Sequence, residues 1–140
     1  MKVLLDTCVI SEVRKAKGNP RVRERVEAIR SNNLFLSVVT LGELAKGISL
    51  LAEGKQRSAL MRWLLALEQD YGTRVLPIDA GVSRIWGELT ASAQQSGRVV
   101  PAADGLIAAT AICHGIHVMT RNVGDFQPTG AMLVNPWEDA

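Results

Sequence analysis

The sequence predicts a three-layer α/β/α sandwich built around a central, mainly parallel β-sheet. Short apolar segments of strand length alternate along the chain with amphipathic segments of ten or more residues, which is the pattern of repeated strand and helix units. The first apolar segment, Val3–Leu5, is continuous, as expected for a strand buried on both faces. No repeat or linker interrupts the 140 residues, so we expect one domain over residues 1–140.

The first half of the chain is predicted to contain two strands and four helices. In order, these are a strand at Val3–Leu5, a helix from Thr7, a helix from Pro20, a strand at Leu34–Val38, a helix from Thr40 to Gly54 and a helix at Gln56–Tyr71. Asn19 is a good helix cap and Pro20 suits a first helical turn. Gly54 and Gly72 mark helix ends.

The second half is predicted to contain three strands and two helices. In order, these are a strand at Arg74–Ile78, a helix capped by Asp79 and closed by Gly97, a helix opened by Pro101 and closed by Gly115, and strands at Ile116–Thr120 and Met132–Val134. In a parallel sheet of this kind, ligands bind beyond the carboxyl ends of the strands. Functional side chains are therefore expected at that edge.

Four acidic residues are predicted to meet there: Asp6, Glu43, Asp104 and Asp125. Two carboxylates 4 Å apart repel by about 1 kcal/mol in water and about 4 kcal/mol at a near-surface dielectric, so a cation is needed to offset the repulsion. Hard oxygen ligands without a His or Cys cluster favour Mg²⁺ or Mn²⁺. The chemistry expected of such a site is hydrolysis of a phosphodiester by metal-bound water.

Each acid also has an interpretation that needs no catalysis. Thr40 to Glu43 has the spacing of a capping box, and Asp104 would be favoured by the dipole of its helix. Asp125 suits a turn. Asp6 is the hardest to explain structurally, because an acid that directly follows a buried strand loses hydration.

The charge predicts that any nucleic-acid contact is local, and the cysteines and the short first apolar segment are typical of a cytoplasmic protein. The net charge is only +2, and no long run of like charge is present. Cys8 and Cys113 lack metal-site spacing and are expected to be buried, reduced thiols. The first apolar segment is too short for a signal peptide core or a membrane span.

Four segments of the chain resemble the PIN-domain family, specifically its VapC-type and FitB-type toxins. They are LLDTCVISEV at residues 4–13, LSVVTLGELAKGI at 36–48, PAADGLIAATAICHGIHVMTRNVGDF at 101–126 and NPW at 135–137. The resemblance implies a Mg²⁺- or Mn²⁺-dependent endoribonuclease that acts as the toxin of a toxin–antitoxin pair. It also implies a homodimer and an antitoxin partner, of the VapB type, that inserts a basic side chain among the acids.

The same resemblance implies the site residues. Asp6, Glu43, Asp104 and an acid after Thr120 form the metal pocket, and the Thr120 hydroxyl supports it. Some relatives carry an aspartate where this chain has Asn122, so either Asp125 or Asn122 completes the pocket. Three further residues are expected to assist, namely Thr7 and Thr40 as supporting hydroxyls or helix caps, and Arg121 as a phosphate contact or a carbonyl cap.

Two other classes of protein compete with this interpretation. A haloacid dehalogenase type phosphatase needs a second aspartate two residues after the first, where this chain has Cys8. Nucleotide-cofactor enzymes need a glycine-rich loop that the sequence lacks. The remaining alternative is a non-catalytic RNA- or protein-binding module whose acids are only helix caps, and loss of the acids would leave the RNA affinity of such a module unchanged.

Overall fold

The computed structural model describes residues 1–138, so the last two residues of the predicted domain lie outside the described residues. The described residues form twelve strands and α-helices, which follow the predicted order except for one short helix before the last strand that was not predicted. They are β1 (Val3–Leu5), α1 (Thr7–Arg14), α2 (Pro20–Glu27), β2 (Leu34–Ser37), α3 (Val38–Ser49), α4 (Lys55–Tyr71), β3 (Val75–Leu76), α5 (Ala80–Gln95), α6 (Ala102–His114), β4 (His117–Met119), α7 (Val123–Phe126) and β5 (Leu133–Val134).

The five strands form one sheet in the order β3-β2-β1-β4-β5, and all four pairings are parallel. The central strand β1 pairs with β2 on one side and with β4 on the other, so Leu4 lies between Phe35 and Val118. The chain builds outward from β1 through β2 to β3, and then crosses back to add β4 and β5 on the other side. The order of the strands therefore reverses between β1 and β4.

Helices cover both faces of the sheet, which confirms the predicted three-layer α/β/α class. Val3 and Leu5 point into one hydrophobic core, and Leu4 points into the other, because successive side chains of a strand face opposite ways. Residues of α1 to α4 fill the first core, and residues of α5, α6 and α7 fill the second. All three residues of β1 are at most 1% exposed, as their continuous apolar sequence predicts.

Several predicted boundaries are wrong. The helix placed from Thr40 begins at Val38, and its cap is the Ser37 side chain, which accepts a hydrogen bond from the Val39 amide at 3.1 Å. The Thr40 capping box is therefore absent. Strands 2 to 5 are each shorter than predicted, and the third is preceded by a 3-10 turn at Gly72–Arg74.

Two other sequence predictions concern the cysteines and the membrane. Both cysteines are free, as expected, but Cys113 is exposed and Cys8 only partly buried, so the prediction of buried thiols is wrong. Gly105 is packed so closely that a β-carbon there would lie 3.0 Å from the indole ring of Trp86. Within residues 1–138, no helix combines the length and the apolar character needed to cross a membrane.

Candidate active site

The carboxyl ends of β1 and β4 form the place where the strand order reverses, which is the preferred ligand position in an open parallel sheet. Asp6 directly follows β1, and Thr120 directly follows β4. Backbone hydrogen bonds fix both positions, since the Asp6 amide donates to the Met119 carbonyl and the Thr120 amide donates to the Val134 carbonyl, each at 2.9 Å. The sheet itself therefore sets the distance between the two side chains.

Asp6 is a buried carboxylate, only 5% exposed, with hydrogen bonds on both oxygens. Its Oδ1 accepts from the Thr7 amide at 2.9 Å, which makes Asp6 the cap of α1. Its Oδ2 accepts from the Thr120 hydroxyl at 2.8 Å and from the Cys8 thiol at 3.5 Å. Burial of a charge is tolerated only with such partners, so the orientation of Asp6 is tightly determined.

Glu43 lies in the second turn of α3 and is held by a residue of a different helix. The Thr7 hydroxyl donates to Glu43 Oε1 at 2.6 Å, across 36 positions of sequence. Thr7 thus contacts both acids, Asp6 through its amide and Glu43 through its hydroxyl. The sequence predicted a supporting role for Thr7 but not this link to Glu43, because no local pattern signals a contact between α1 and α3.

Asp104 lies in the first turn of α6 and experiences the other three acids. Its pKa is raised from 3.8 to about 6, first by burial and then by the negative charges of Asp6, Asp125 and Glu43, in that order. Each of those charges disfavours the ionised form of Asp104. The four predicted acids, which come from four different parts of the chain, are therefore close enough to interact.

Asp125 and Asn122 both lie beyond β4, on the exposed rim of this acidic group. Asp125 belongs to the short helix α7, which was predicted as a turn, and its amide donates to the Asn122 carbonyl at 3.1 Å. The Asn122 amide donates to the Thr120 hydroxyl at 2.9 Å, while the Asn122 side chain makes no capping hydrogen bond to α7. Of the two residues, Asp125 carries the charge that reaches Asp104.

The Thr40 hydroxyl lacks the contact to the site that was expected of it, whereas the Cys8 thiol, for which no role was predicted, contacts Asp6. The Thr40 hydroxyl is fully buried yet has no hydrogen-bond partner among the described residues, so it is not linked to a site carboxylate by a hydrogen bond. The Cys8 thiol, in contrast, contacts Asp6 and lies 3.7 Å from the Thr120 oxygen. Burial raises the pKa of Cys8, and the Asp6 charge raises it further, so the group is a neutral thiol that can donate.

The acidic group combines the buried Asp6 with the partly exposed Glu43 and Asp104 and the exposed Asp125. Across residues 1–138, no group of three or more His, Cys, Asp or Glu side chains is placed so that it could hold a metal ion as it stands. A cleft of about 330 Å³ opens beside Thr7 and Glu43 and continues along α3 and α4 to Trp63. A larger cavity of about 440 Å³, lined by Arg25 and other residues, contains none of the four acids.

Comparison with known proteins identifies the family. Residues 3–127 match the model of the PIN domain, a span that includes all four acids. The chain belongs to the PIN-domain family. Its expected fold and its resemblance to VapC-type and FitB-type members are thereby confirmed.

Individual PIN-domain relatives match over almost the full length of the chain. The chain is 40% identical over 139 residues to VapC ribonuclease Y4jK of Sinorhizobium fredii, covering 99% of each protein. The crystal structure of FitAcB from Neisseria gonorrhoeae superposes with a TM-score of 0.91 at 36% identity, covering 96% of this chain and 98% of that one. VapBC-5 of Mycobacterium tuberculosis, a member of the VapBC family of toxin–antitoxin systems, superposes with a TM-score of 0.67 at 28% identity, covering 96% of this chain and 97% of that one.

Proposed function

We propose that this protein is a divalent-metal-dependent endoribonuclease and the toxin of a toxin–antitoxin pair. The observation that carries the proposal is that the Thr120 and Thr7 hydroxyls hold Asp6 and Glu43 at one edge of the sheet, where both carboxylates, together with Asp125, also raise the pKa of Asp104. Near-full-length similarity to a VapC ribonuclease supports RNA as the substrate. The two cores share one sheet, which supports the expectation of a single nuclease domain.

Mg²⁺, or Mn²⁺ in its place, fits the donor set. The proposed ligands Asp6, Glu43, Asp104 and Asp125 offer only oxygen atoms, the donors that these hard cations prefer. Mg²⁺ usually keeps several waters and uses one or two carboxylates together with substrate phosphates, so it does not require a ready-made group of three protein ligands. When bound, such an ion supplies a water of lowered pKa and stabilises the charge on the leaving oxygen.

The protein contributes orientation and charge. Thr7, Thr120 and Cys8 fix the carboxylate of Asp6, and Thr7 also fixes that of Glu43, so two ligands are positioned before any cation arrives. Asp104 has a pKa of about 6 in the metal-free protein, and a nearby cation would favour its ionised form. We assign the fourth position to Asp125 and leave Asn122 the task of fixing the Thr120 hydroxyl through its backbone amide.

The proposed partners follow from the same interpretation. A neighbouring antitoxin would neutralise the site by placing a basic side chain among the acids, and the apolar part of the adjoining cleft, formed by Leu44, Ile48, Leu51, Leu60 and Trp63, offers a surface for the rest of its segment. VapBC-5, whose structure superposes on this chain, is a member of a family of toxin–antitoxin systems, and this supports an antitoxin as the partner. The homodimer and the cytoplasmic location stay predictions.

Asp104→Asn is the most direct test of the proposed function. The hydrogen bonds that hold Asp6 and Glu43 do not involve Asp104, so the substitution leaves them in place. Purified protein is incubated with RNA in the presence of Mg²⁺, Mn²⁺ or a chelator, and cleavage is followed on gels. We expect wild-type cleavage only with a divalent ion, and loss of more than about a hundredfold in Asp104→Asn at unchanged circular dichroism. Glu88→Gln, which removes an exposed charge on α5, is the control. Metal-independent cleavage, or full activity in Asp104→Asn, would contradict the proposal, and RNA binding without cleavage would favour a non-catalytic module.

A further inference from the structure

Arg121 lies at the exposed rim of the acidic group, where its backbone position is fixed. It lies between Thr120, which donates to Asp6, and Asn122, whose amide returns to the Thr120 hydroxyl. The backbone of Arg121 is therefore held on both sides by the site, while the side chain is exposed.

The guanidinium of Arg121 lies over the indole ring of Trp137, with its central carbon 5.3 Å from the ring centroid. Trp137 is a fixed platform, because its amide donates to Asn135 Oδ1 at 2.9 Å and its carbonyl accepts from Arg21 on α2 at 3.1 Å. Among residues 1–138, Arg121 makes no ion pair with a carboxylate. An arginine that served only to neutralise the neighbouring acids would be paired with one of them.

A contact with an aromatic ring does not use up the N–H donors of a guanidinium. A guanidinium can contact an aromatic ring through its flat face, and its N–H donors, which lie in its plane, are then still able to bind a ligand. Those donors match the oxygens of a phosphate in a two-pronged geometry. Because the ring already restricts the side chain, less rotamer freedom is lost when the ligand binds.

We propose that Arg121, held on Trp137, is the positioning residue that binds an RNA phosphate next to the one being cleaved. This inference rests on the proposed ribonuclease function and deepens it. The acidic group repels a polyanion, and the chain has a net charge of only +2, so attraction must come from cations at the rim. Arg121 lies at that rim, directly after Thr120, whose hydroxyl donates to the buried Asp6 carboxylate.

Binding is measured in the Asp104→Asn background, so that RNA is not consumed. The probe is a short, fluorescein-labelled, single-stranded RNA of mixed sequence, and its dissociation constant is determined by anisotropy at several salt concentrations. We expect Arg121→Gln to weaken binding about tenfold. The slope of log affinity against log salt should fall by about 0.7, the value for one phosphate contact on a single strand.

Three further variants separate the charge of Arg121, its donor geometry and the aromatic ring beneath it, and a fourth serves as a control. Arg121→Lys should keep the salt slope but recover only part of the affinity, because a lysine lacks the two-pronged donors. Trp137→Phe should retain binding better than Trp137→Leu, since only the former keeps an aromatic ring. Arg30→Gln is the control. It removes one exposed arginine that precedes the amino end of β2, and it should leave both the salt slope and the RNA affinity unchanged.

Cleavage kinetics complete the test. In the otherwise wild-type protein, Arg121→Gln should raise KM with a smaller change in kcat, because the contact acts on binding of the substrate. Equal RNA affinity in Arg121→Gln and Arg30→Gln would overturn the inference while wild-type cleavage keeps the proposed function intact. Normal RNA binding combined with escape from the neighbouring antitoxin would assign Arg121 to that partner and would also overturn it. Absence of any wild-type cleavage would instead refute the proposed function.

Discussion

Removal of the Asp104 charge should stabilise the metal-free protein, although it destroys the proposed site. The pKa of Asp104 rises from 3.8 to about 6 on folding, and about two pKa units correspond to roughly 3 kcal/mol. Asp104 is partly exposed, and solvent screening reduces this penalty to about half, or roughly 1 to 2 kcal/mol. For a chain of this size, Asp104→Asn should raise the melting temperature by about 3 to 6 °C at pH 7.5 without metal.

The stabilisation produced by Asp104→Asn should increase with pH. A carboxyl group whose pKa is raised in the folded state binds its proton more tightly there, so the penalty is absent below the unfolded pKa near 4 and fully present above the folded pKa near 6. The difference in melting temperature between Asp104→Asn and the wild type should therefore grow from pH 4 to pH 7 and then level off. Differential scanning fluorimetry measures it, with Glu88→Gln as the control for removal of one surface charge.

Divalent ions should reverse the order of the two proteins. Mg²⁺ or Mn²⁺ stabilises the wild type by binding only to the folded state, and it should stabilise Asp104→Asn much less. An Asp104→Asn variant that melts at or below the wild-type temperature without metal at pH 7.5 would refute the proposed repulsion among the acids. Asp6→Asn is a poorer probe, because it also disrupts the hydrogen bonds that Asp6 accepts from Thr7, Thr120 and Cys8.

Three further predictions, made with five variants, test individual contacts. Thr7→Val removes the hydroxyl that holds Glu43 and should lower kcat roughly tenfold or more in an RNA cleavage assay, whereas Thr7→Ser should preserve it; equal rates would contradict the contact. Ser37→Ala should lower the free energy of unfolding, measured by chemical denaturation, by about 1 kcal/mol, because Ser37 caps α3. Thr40→Val should leave it unchanged, because the Thr40 hydroxyl has no hydrogen-bond partner among the described residues. The reverse result would support the capping box at Thr40. Gly105→Ala should cost about 1 to 3 kcal/mol, because the added methyl meets an indole ring at 3.0 Å, and an unchanged melting temperature would show that the ring can move aside.

The sequence predicted the class of the fold because its periodicities are long and consistent. The continuous apolar segment at β1 and the regular alternation of strands with helices require a covered parallel sheet. The start of α3 was misplaced because Ser37 and Thr40 are both good caps, and only the end of β2 decides between them. The helix α7 spans four residues, Val123–Phe126, which is too short to produce a helical period.

The candidate site could be predicted only as a set of residues at one edge. The acids follow predicted strands or begin predicted helices, so the parallel arrangement alone brings them to the same side of the sheet. The contacts that orient them depend on tertiary structure. The strand order that pairs β1 with β4 brings Thr120 to Asp6, and packing of α1 against α3 brings Thr7 to Glu43. No property of Arg121 or Trp137 in the sequence indicated that the two would stack.

The position of the metal ion is the most direct test of the account. Crystals of the wild-type protein soaked in Mn²⁺ and measured for anomalous scattering would locate it. We predict a peak among Asp6, Glu43, Asp104 and Asp125, with water completing its coordination, and no such peak in crystals of Asp104→Asn. A strong peak elsewhere, or none at Mn²⁺ concentrations that support RNA cleavage, would contradict the claim that these carboxylates form the metal site.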